Sequence, residues 1–114
     1  MFGRQKTDEV GPGKVAELQR RGVVLLDVRE DDEWTAGHAP DAAHVPLGRV
    51  AEAASRFAGQ EVLTVCRSGA RSEQAAKILA EAGVNVHNVA AGMSAWASAG
   101  LPVVRDDGSP GRVS

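Results

Sequence analysis

With 114 residues, 43% apolar and 25% charged, the chain has the composition of one globular domain that can bury a core without disulfides or metals. Its net charge of -2 argues against nucleic-acid or anionic-membrane partners, so any anion site must be local. The single cysteine excludes an internal disulfide, no run spans a bilayer, and the N-terminus has no signal-peptide pattern, which together predict a cytoplasmic protein.

The first half of the chain predicts a helix, a buried strand and a second helix. Residues 1–9 form a polar lead-in, and Pro12 starts a short helix that Gly22 ends. Residues 23–28 are a continuous apolar run, typical of a strand covered on both faces, and we predict that this strand is the centre of a parallel sheet. The acidic residues at 30–33 then begin a helix, because carboxylates complement the positive end of the helix dipole.

The second half alternates strands and helices at the same pace. Apolar spacing predicts strands at 44–45, 62–65 and 84–90, and helices at 47–57, 72–82 and 93–99. Strands that alternate with helices imply right-handed crossovers, so residues 10–104 are predicted to form a three-layer α/β domain with a mostly parallel sheet. Residues 105–114 are polar and rich in glycine and proline, and they predict a flexible C-terminal tail.

The only cysteine stands at a predicted strand-to-helix turn. The apolar run Val62–Val65 ends on Cys66, and Ser72 opens the next helix. In an open α/β sheet this is the carboxyl edge, where ligands bind and where the positive end of a helix faces them. We therefore consider Cys66 the candidate reactive group of the chain.

The loop after this cysteine is small and cationic. Arg67 and Arg71 flank three small residues, Ser68, Gly69 and Ala70, which leave the backbone amides free to converge on an anion. Neighbouring cations and a helix N-terminus lower the pKa of a thiol and so favour the nucleophilic thiolate. The alternative is an inert cysteine buried as a small hydrophobe, which the two arginines and the glycine disfavour.

Four blocks of the sequence resemble the single-domain rhodaneses, the thiosulfate sulfurtransferase-like family, over about residues 10–104. In order they are Asp27-Val28-Arg29-Glu30, Glu33-Trp34-x-x-Gly37-His38-Ala39-Pro40-x-Ala42-x-His44-Val45-Pro46-Leu47, Cys66-Arg67-Ser68-Gly69-Ala70-Arg71-Ser72 and Gly92-Met93-x-Ala95-Trp96. The resemblance implies a rhodanese-like α/β domain whose mostly parallel, five-stranded sheet has helices on both faces.

The resemblance also implies an activity. Cys66 would take the outer sulfur of thiosulfate, or of a similar small anionic donor, as a persulfide and pass it to cyanide or a thiol. The loop from Arg67 to Arg71 would bind the substrate, and neither a cofactor nor a metal is called for. Because the chain has no second cysteine, an external thiol, cyanide or a sulfur-acceptor protein must receive the sulfur.

The length of the loop bears on the alternatives. Related phosphatases of the same fold use a loop one residue longer, whereas four residues separate Cys66 from Arg71, and the shorter ring suits sulfur better than phosphate. The two arginines favour thiosulfate over mercaptopyruvate. A sulfur-relay or protein-interaction module without turnover remains the alternative from another class, and a phosphatase or arsenate reductase is disfavoured.

Other polar residues are predicted to support the site. Asp27 and Arg29 end a buried strand at the edge that carries the cysteine, and we favour a buried ion pair or helix cap over a catalytic role. Ser72 is placed with them as a supporting residue. The acids at Glu30–Glu33 are interpreted as a solvated helix start.

Ala91 stands before Gly92, at a position where the family usually has a second glycine, so a Cβ occupies a place that often tolerates left-handed backbone. The histidines show no metal-ligand spacing and no sign of a Cys-His dyad, and the tryptophans lie at core-like positions. All five are predicted to be structural: His38, His44, His87, Trp34 and Trp96.

Overall fold

The computed structural model describes residues 8–114 and contains a five-stranded sheet in the order β1-β5-β4-β2-β3, with every pairing parallel. The strands are β1 Glu9–Val10, β2 Val24–Asp27, β3 Ala43–His44, β4 Glu61–Val65 and β5 Asn85–Val89. The predicted α/β class with a parallel sheet is confirmed. Residues 1–7 of the predicted lead-in lie outside the described residues.

Within residues 8–114, four α-helices connect the strands and a fifth follows β5: α1 Val15–Arg20, α2 Asp31–Ala36, α3 Val50–Ala53, α4 Ala70–Glu81 and α5 Gly92–Ser98. The helix predicted over 47–57 is instead α3 flanked by 3-10 turns at Leu47–Arg49 and Ala54–Phe57. Apolar residues three apart at the ends of this segment suit 3-10 turns, which have three residues each. Among residues 8–114, no helix combines the length and apolar character needed to cross a membrane.

The centre of the sheet is β4, the strand that leads to the cysteine, and not the predicted β2, which lies beside it. Both strands are buried on both faces, so an unbroken apolar run could not tell the central strand from its neighbour. The edge strand β1 was not predicted, because two residues are too short to show a period. Its pairing with β5 nevertheless places Glu9 in the sheet rather than in a lead-in.

The core lies on both faces of the sheet, as predicted. Successive residues of a strand face opposite sides, so Leu26 and Val62 pack in one cluster while Leu25 and Leu63 pack in the other. The first cluster is covered by α3 and α4, and the second by α1 and α5. This packing fixes the carboxyl end of β4 between two helical layers.

Residues 105–114, predicted from their composition to form a flexible tail, make backbone hydrogen bonds with the domain. The Arg112 amide donates to the Ala36 carbonyl at 2.9 Å. The approach is close because a glycine faces it: a Cβ on Gly37 would lie 2.5 Å from the Arg112 nitrogen. Backbone hydrogen bonds therefore attach this segment to the end of α2, and the division into lead-in, domain and tail stays a prediction.

Candidate active site

Cys66 follows β4 directly, and the first turn of α5 holds the backbone around it. The Met93 amide donates to the Cys66 carbonyl at 2.8 Å, and the Ser94 amide donates to the Arg67 carbonyl at 2.9 Å. Gly92 has φ +58, and a Cβ there would overlap the Cys66 carbonyl oxygen and lie 2.7 Å from the Arg67 carbonyl carbon. The start of α5 thus packs directly on the backbone that carries the thiol.

Two donors reach the sulfur. The Gly69 amide lies 3.1 Å from Cys66 Sγ, and the Ser72 hydroxyl lies 3.3 Å from it. Cys66 is 1% exposed, and this burial raises the pKa of its thiol, but hydrogen bonds from Ser72 and the loop amides outweigh burial and hold the pKa below its ordinary value. The geometry therefore favours the thiolate that nucleophilic chemistry needs.

The loop reaches this geometry through one left-handed residue. Gly69 has φ +117 and precedes α4, so its amide turns inward while the positive end of the helix faces the sulfur. Of the predicted loop and supporting residues, the structure brings the Gly69 amide and the Ser72 hydroxyl within hydrogen-bond distance of the sulfur. It leaves Arg67, Ser68 and Ala70 exposed at the rim of the loop.

The second loop arginine is engaged by an acid from α2. Arg71 Nη1 and Nη2 donate to Glu33 Oε1 and Oε2 at 2.6 and 2.9 Å. The prediction of a solvated Glu33 was wrong, because its partner lies 38 residues away and no local pattern reveals the pair. Hydrogen bonding to Glu33 raises the pKa of Arg71, and the Cys66 charge adds to this effect. Arg71 is therefore a charge at the cysteine loop that α2 holds in place.

Replacing Glu33 by glutamine is expected to lower the free energy of unfolding by about 1 to 2 kcal/mol at pH 7, because it breaks a forked, partly buried ion pair. Hydrogen bonds from Arg71 lower the pKa of Glu33 from 4.5 to about 2 in the folded protein. The stabilisation is therefore complete above pH 4.5 and is lost as the pH falls through about 2. Urea unfolding of both proteins across this range measures the difference.

The matched control is Glu52→Gln, which breaks the exposed Arg49–Glu52 pair and should cost less than about 0.5 kcal/mol. A Glu33→Gln deficit that stays constant from pH 7 down to pH 2 would contradict the assignment of the stabilisation to this ion pair.

Asp27 and Arg29 form the buried ion pair that the sequence favoured. Arg29 Nη2 lies 2.8 Å from Asp27 Oδ2 and donates to the Gly37 carbonyl at 2.8 Å, and both charged residues are 0% exposed. The alternative role as a cap falls to Glu30, which forms a capping box with Glu33 at the start of α2. The pair ties the end of β2 to the end of α2.

Two polar residues that the sequence analysis did not single out lie behind the loop. Asn88 and Thr64 are register partners on β5 and β4, and both are buried. Thr64 Oγ1 donates to the Ser72 carbonyl at 3.0 Å, and the Ser72 hydroxyl lies 2.6 Å from Asn88 Oδ1. Asn88 Nδ2 donates to the Gly69 carbonyl at 3.3 Å. Thr64 is the one polar residue of the run 62–65, whereas Asn88 is one of three in 84–90, so only the sheet register shows that the two meet.

The histidines have partners other than the thiol. Trp34 stacks between His38 and His44, with ring centroids 3.5 and 4.7 Å apart. His44 Nε2 contacts the Arg29 carbonyl at 2.7 Å, and His38 Nε2 contacts Asp106 at 2.9 Å.

Within residues 8–114, no three His, Cys, Asp or Glu side chains are grouped to hold a metal. The remaining members of the predicted set are His87, which pairs with Glu61, and the buried Trp96, which donates to the Pro102 carbonyl.

Known proteins resemble this chain both in sequence and in fold. The chain matches the rhodanese-like domain model over residues 12–99. It is 39% identical over 88 residues to a sulfurtransferase of Allochromatium vinosum, covering 75% of this chain and 82% of that protein. The structure of a rhodanese-related protein from Thermoplasma volcanium superposes with a TM-score of 0.78 at 26% identity, covering 85% of this chain and 97% of that one.

The domain also occurs inside longer proteins. The chain is 36% identical over 102 residues to the HTH-type transcriptional regulator Rv0324 of Mycobacterium tuberculosis, which covers 83% of this chain. It spans only 44% of the length of that regulator and 40% of the putative sulfur carrier protein YrkF of Bacillus subtilis. A family model that matches most of the chain, together with the shared fold, shows that this chain belongs to the rhodanese-like domain family.

Proposed function

We propose that the chain is a sulfurtransferase that carries a sulfane sulfur as a persulfide on Cys66. The observation that carries the proposal is the pair of donors, the Gly69 amide and the Ser72 hydroxyl, directed at a buried Sγ. They stabilise a thiolate, so attack needs no general base. The sulfurtransferase of Allochromatium vinosum supports the same reaction class.

The reaction balances without a cofactor or an oxidant. The Cys66 thiolate attacks the outer sulfur of thiosulfate, the sulfur-sulfur bond of thiosulfate breaks, and sulfite leaves with the electron pair. A nucleophilic acceptor then attacks the outer sulfur of the persulfide, and Cys66 leaves as thiolate. The loop amides stabilise the negative charge on sulfur in both halves of the cycle.

Thiosulfate is the donor that the loop supports best. Arg67 is exposed at the rim, and the small residues Ser68 and Ala70 leave that rim open to a compact anion. Arg71 contributes less attraction than its charge suggests, because Glu33 neutralises it through two hydrogen bonds. Backbone amides and Arg67 therefore supply most of the attraction for the anion.

The loop length supports sulfur transfer over phosphate transfer. Only four residues separate Cys66 from Arg71, and Gly69 directs its amide to Sγ itself at 3.1 Å. With one cysteine in the chain, the acceptor is external: cyanide, a small thiol or a sulfur-acceptor protein. A reducing cytoplasm would keep this thiol free.

The test compares two activities of the purified chain. Thiocyanate formed from thiosulfate and cyanide is expected to accumulate with time and enzyme concentration, whereas a phenyl phosphate ester should not be hydrolysed above background. Ester hydrolysis without thiocyanate would overturn the proposal in favour of a phosphatase. If neither product forms, the chain is a relay or interaction module, and the proposed turnover is wrong.

A further inference from the structure

The Ser72 hydroxyl has one proton and three acceptors within reach. Its oxygen lies 2.6 Å from Asn88 Oδ1, 3.2 Å from the Gly69 carbonyl and 3.3 Å from Cys66 Sγ. Ser72 is 0% exposed and Asn88 is 1% exposed, so bulk water does not compete for this proton. At most one of these acceptors can receive a well-aligned hydrogen bond at a time.

The Asn88 amide has one favourable orientation. Its Nδ2 lies 3.3 Å from the Gly69 carbonyl and donates to it, which leaves Oδ1 facing Ser72. The flipped amide would set Oδ1 against the Gly69 carbonyl, two oxygens without a proton between them. The acceptor 2.6 Å from the Ser72 hydroxyl is therefore the Asn88 oxygen.

We propose that Asn88 is a positioning residue for the Ser72 proton, which bonds to Asn88 Oδ1 while the cysteine sulfur is neutral and to Sγ when that sulfur is charged. The proton stays on the Ser72 oxygen throughout, and only the O–H bond rotates from Asn88 Oδ1 to Sγ. The Ser72 hydroxyl donates to a thiolate in preference to Asn88 Oδ1, because hydrogen bonds to charged acceptors are stronger than those to neutral ones.

The role of this rotation rests on the proposed sulfur transfer. The charge leaves Sγ when Cys66 attacks the donor, and it returns when the persulfide gives up its outer sulfur. In the first half of the cycle Asn88 Oδ1 accepts the hydrogen bond from the Ser72 hydroxyl, so this donor turns away from Sγ as the sulfur loses its charge. In the second half, the Ser72 O–H bond rotates back to Sγ and its hydrogen bond stabilises Cys66 as the leaving thiolate.

The direction of each expected shift in the pKa of Cys66 follows from the competition between Asn88 Oδ1 and Sγ for the Ser72 hydrogen bond. Asn88→Leu removes the competing acceptor, which should lower the pKa of Cys66 by about 0.5 to 1 pH unit. Ser72→Ala removes the donor, which should raise the pKa by about 1 to 2 pH units. In the double variant Ser72→Ala/Asn88→Leu there is no Ser72 hydroxyl for Asn88 to influence, so the pKa of Cys66 should equal its value in Ser72→Ala.

The experiment titrates the ultraviolet absorbance of the thiolate in the full chain, where Cys66 is the only cysteine. Asn85→Leu is the matched control, because Asn85 lies exposed on the same strand, and it should leave the pKa unchanged. Arg71, whose pKa is raised by its hydrogen bonds to Glu33 and by the Cys66 charge, stays paired with Glu33, and all variants retain both residues. Far-ultraviolet circular dichroism checks folding, and Asn88→Ala replaces Asn88→Leu if the leucine variant does not fold.

The outcomes separate this role from a merely structural one. A lowered pKa in the Asn88 variant that disappears in the Ser72→Ala background supports the proposal. An unchanged or raised pKa, as expected if Asn88 only shapes the loop, overturns it, and so does a lowering that persists without Ser72. The titration uses no sulfur donor, so it gives its answer even if the chain transfers no sulfur.

Discussion

Replacing Cys66 by serine is expected to reduce thiocyanate formation from thiosulfate to the rate of the buffer. A serine hydroxyl does not ionise near neutral pH and cannot form a persulfide, so the loop donors have no thiolate to stabilise. Serine is close to cysteine in shape, and Cys66 is one of many buried residues in its core cluster, so the variant should fold. Initial rates of thiocyanate formation measure the loss.

The control for this substitution is urea unfolding, which should show a cooperative transition in both proteins. Turnover that survives in the folded Cys66→Ser variant would show that another group carries the sulfur, or that transfer is direct. Either result would contradict covalent catalysis by this residue.

Replacing Gly92 by alanine is expected to lower the free energy of unfolding by about 2 to 4 kcal/mol, because a Cβ there meets fixed backbone and the residue is left-handed. The added atom would overlap the Cys66 carbonyl oxygen, and φ at this position is +58. Since the backbone of the thiol must then move, the rate of sulfur transfer should fall with stability. Urea unfolding and thiocyanate assays on one preparation measure both effects.

Gly100→Ala separates the two causes. Gly100 has φ +74 but nothing within 4 Å of an added Cβ, so only the left-handed cost of about 1 to 2 kcal/mol applies, with no loss of activity. Equal losses of stability and activity in the two variants would contradict the claim that the start of α5 shapes the loop.

A substitution at Ala91 serves as a control, because it should change the free energy of unfolding in the opposite direction. Ala91 has φ +57 without being glycine, so the backbone at this position is left-handed despite the Cβ. Ala91→Gly should therefore relieve strain and raise the free energy of unfolding by about 0.5 to 1 kcal/mol.

Local pattern was sufficient for most of the fold. The apolar runs predicted strands, and the alternation with helices predicted a parallel sheet with two covered faces. The position of β4 at the centre could not be predicted, because strand order depends on how crossovers pack and both candidate strands are equally apolar. The two-residue strand β1 carries no period, so nothing in the sequence distinguished it from a lead-in.

The candidate site, like the fold, could be predicted only where it depends on local sequence. The nucleophile and its loop lie in one continuous stretch, where spacing alone indicates a cysteine at a helix start. The partners of that loop come from other elements: Glu33 from α2 and Asn88 from β5. Their contacts depend on tertiary packing and on sheet register. Sequence reasoning that treated Glu33 as solvated therefore overestimated the positive charge available to a substrate at Arg71.

The most direct test of the central claim, a persulfide on Cys66, is the intact mass of the protein after incubation with thiosulfate and removal of the excess. The mass is expected to increase by one sulfur atom, to return to its starting value after a reducing thiol is added, and to stay unchanged in Cys66→Ser. A wild-type mass that never increases with thiosulfate or any other sulfane donor, or a sulfur that the Cys66→Ser variant also acquires, would contradict the claim.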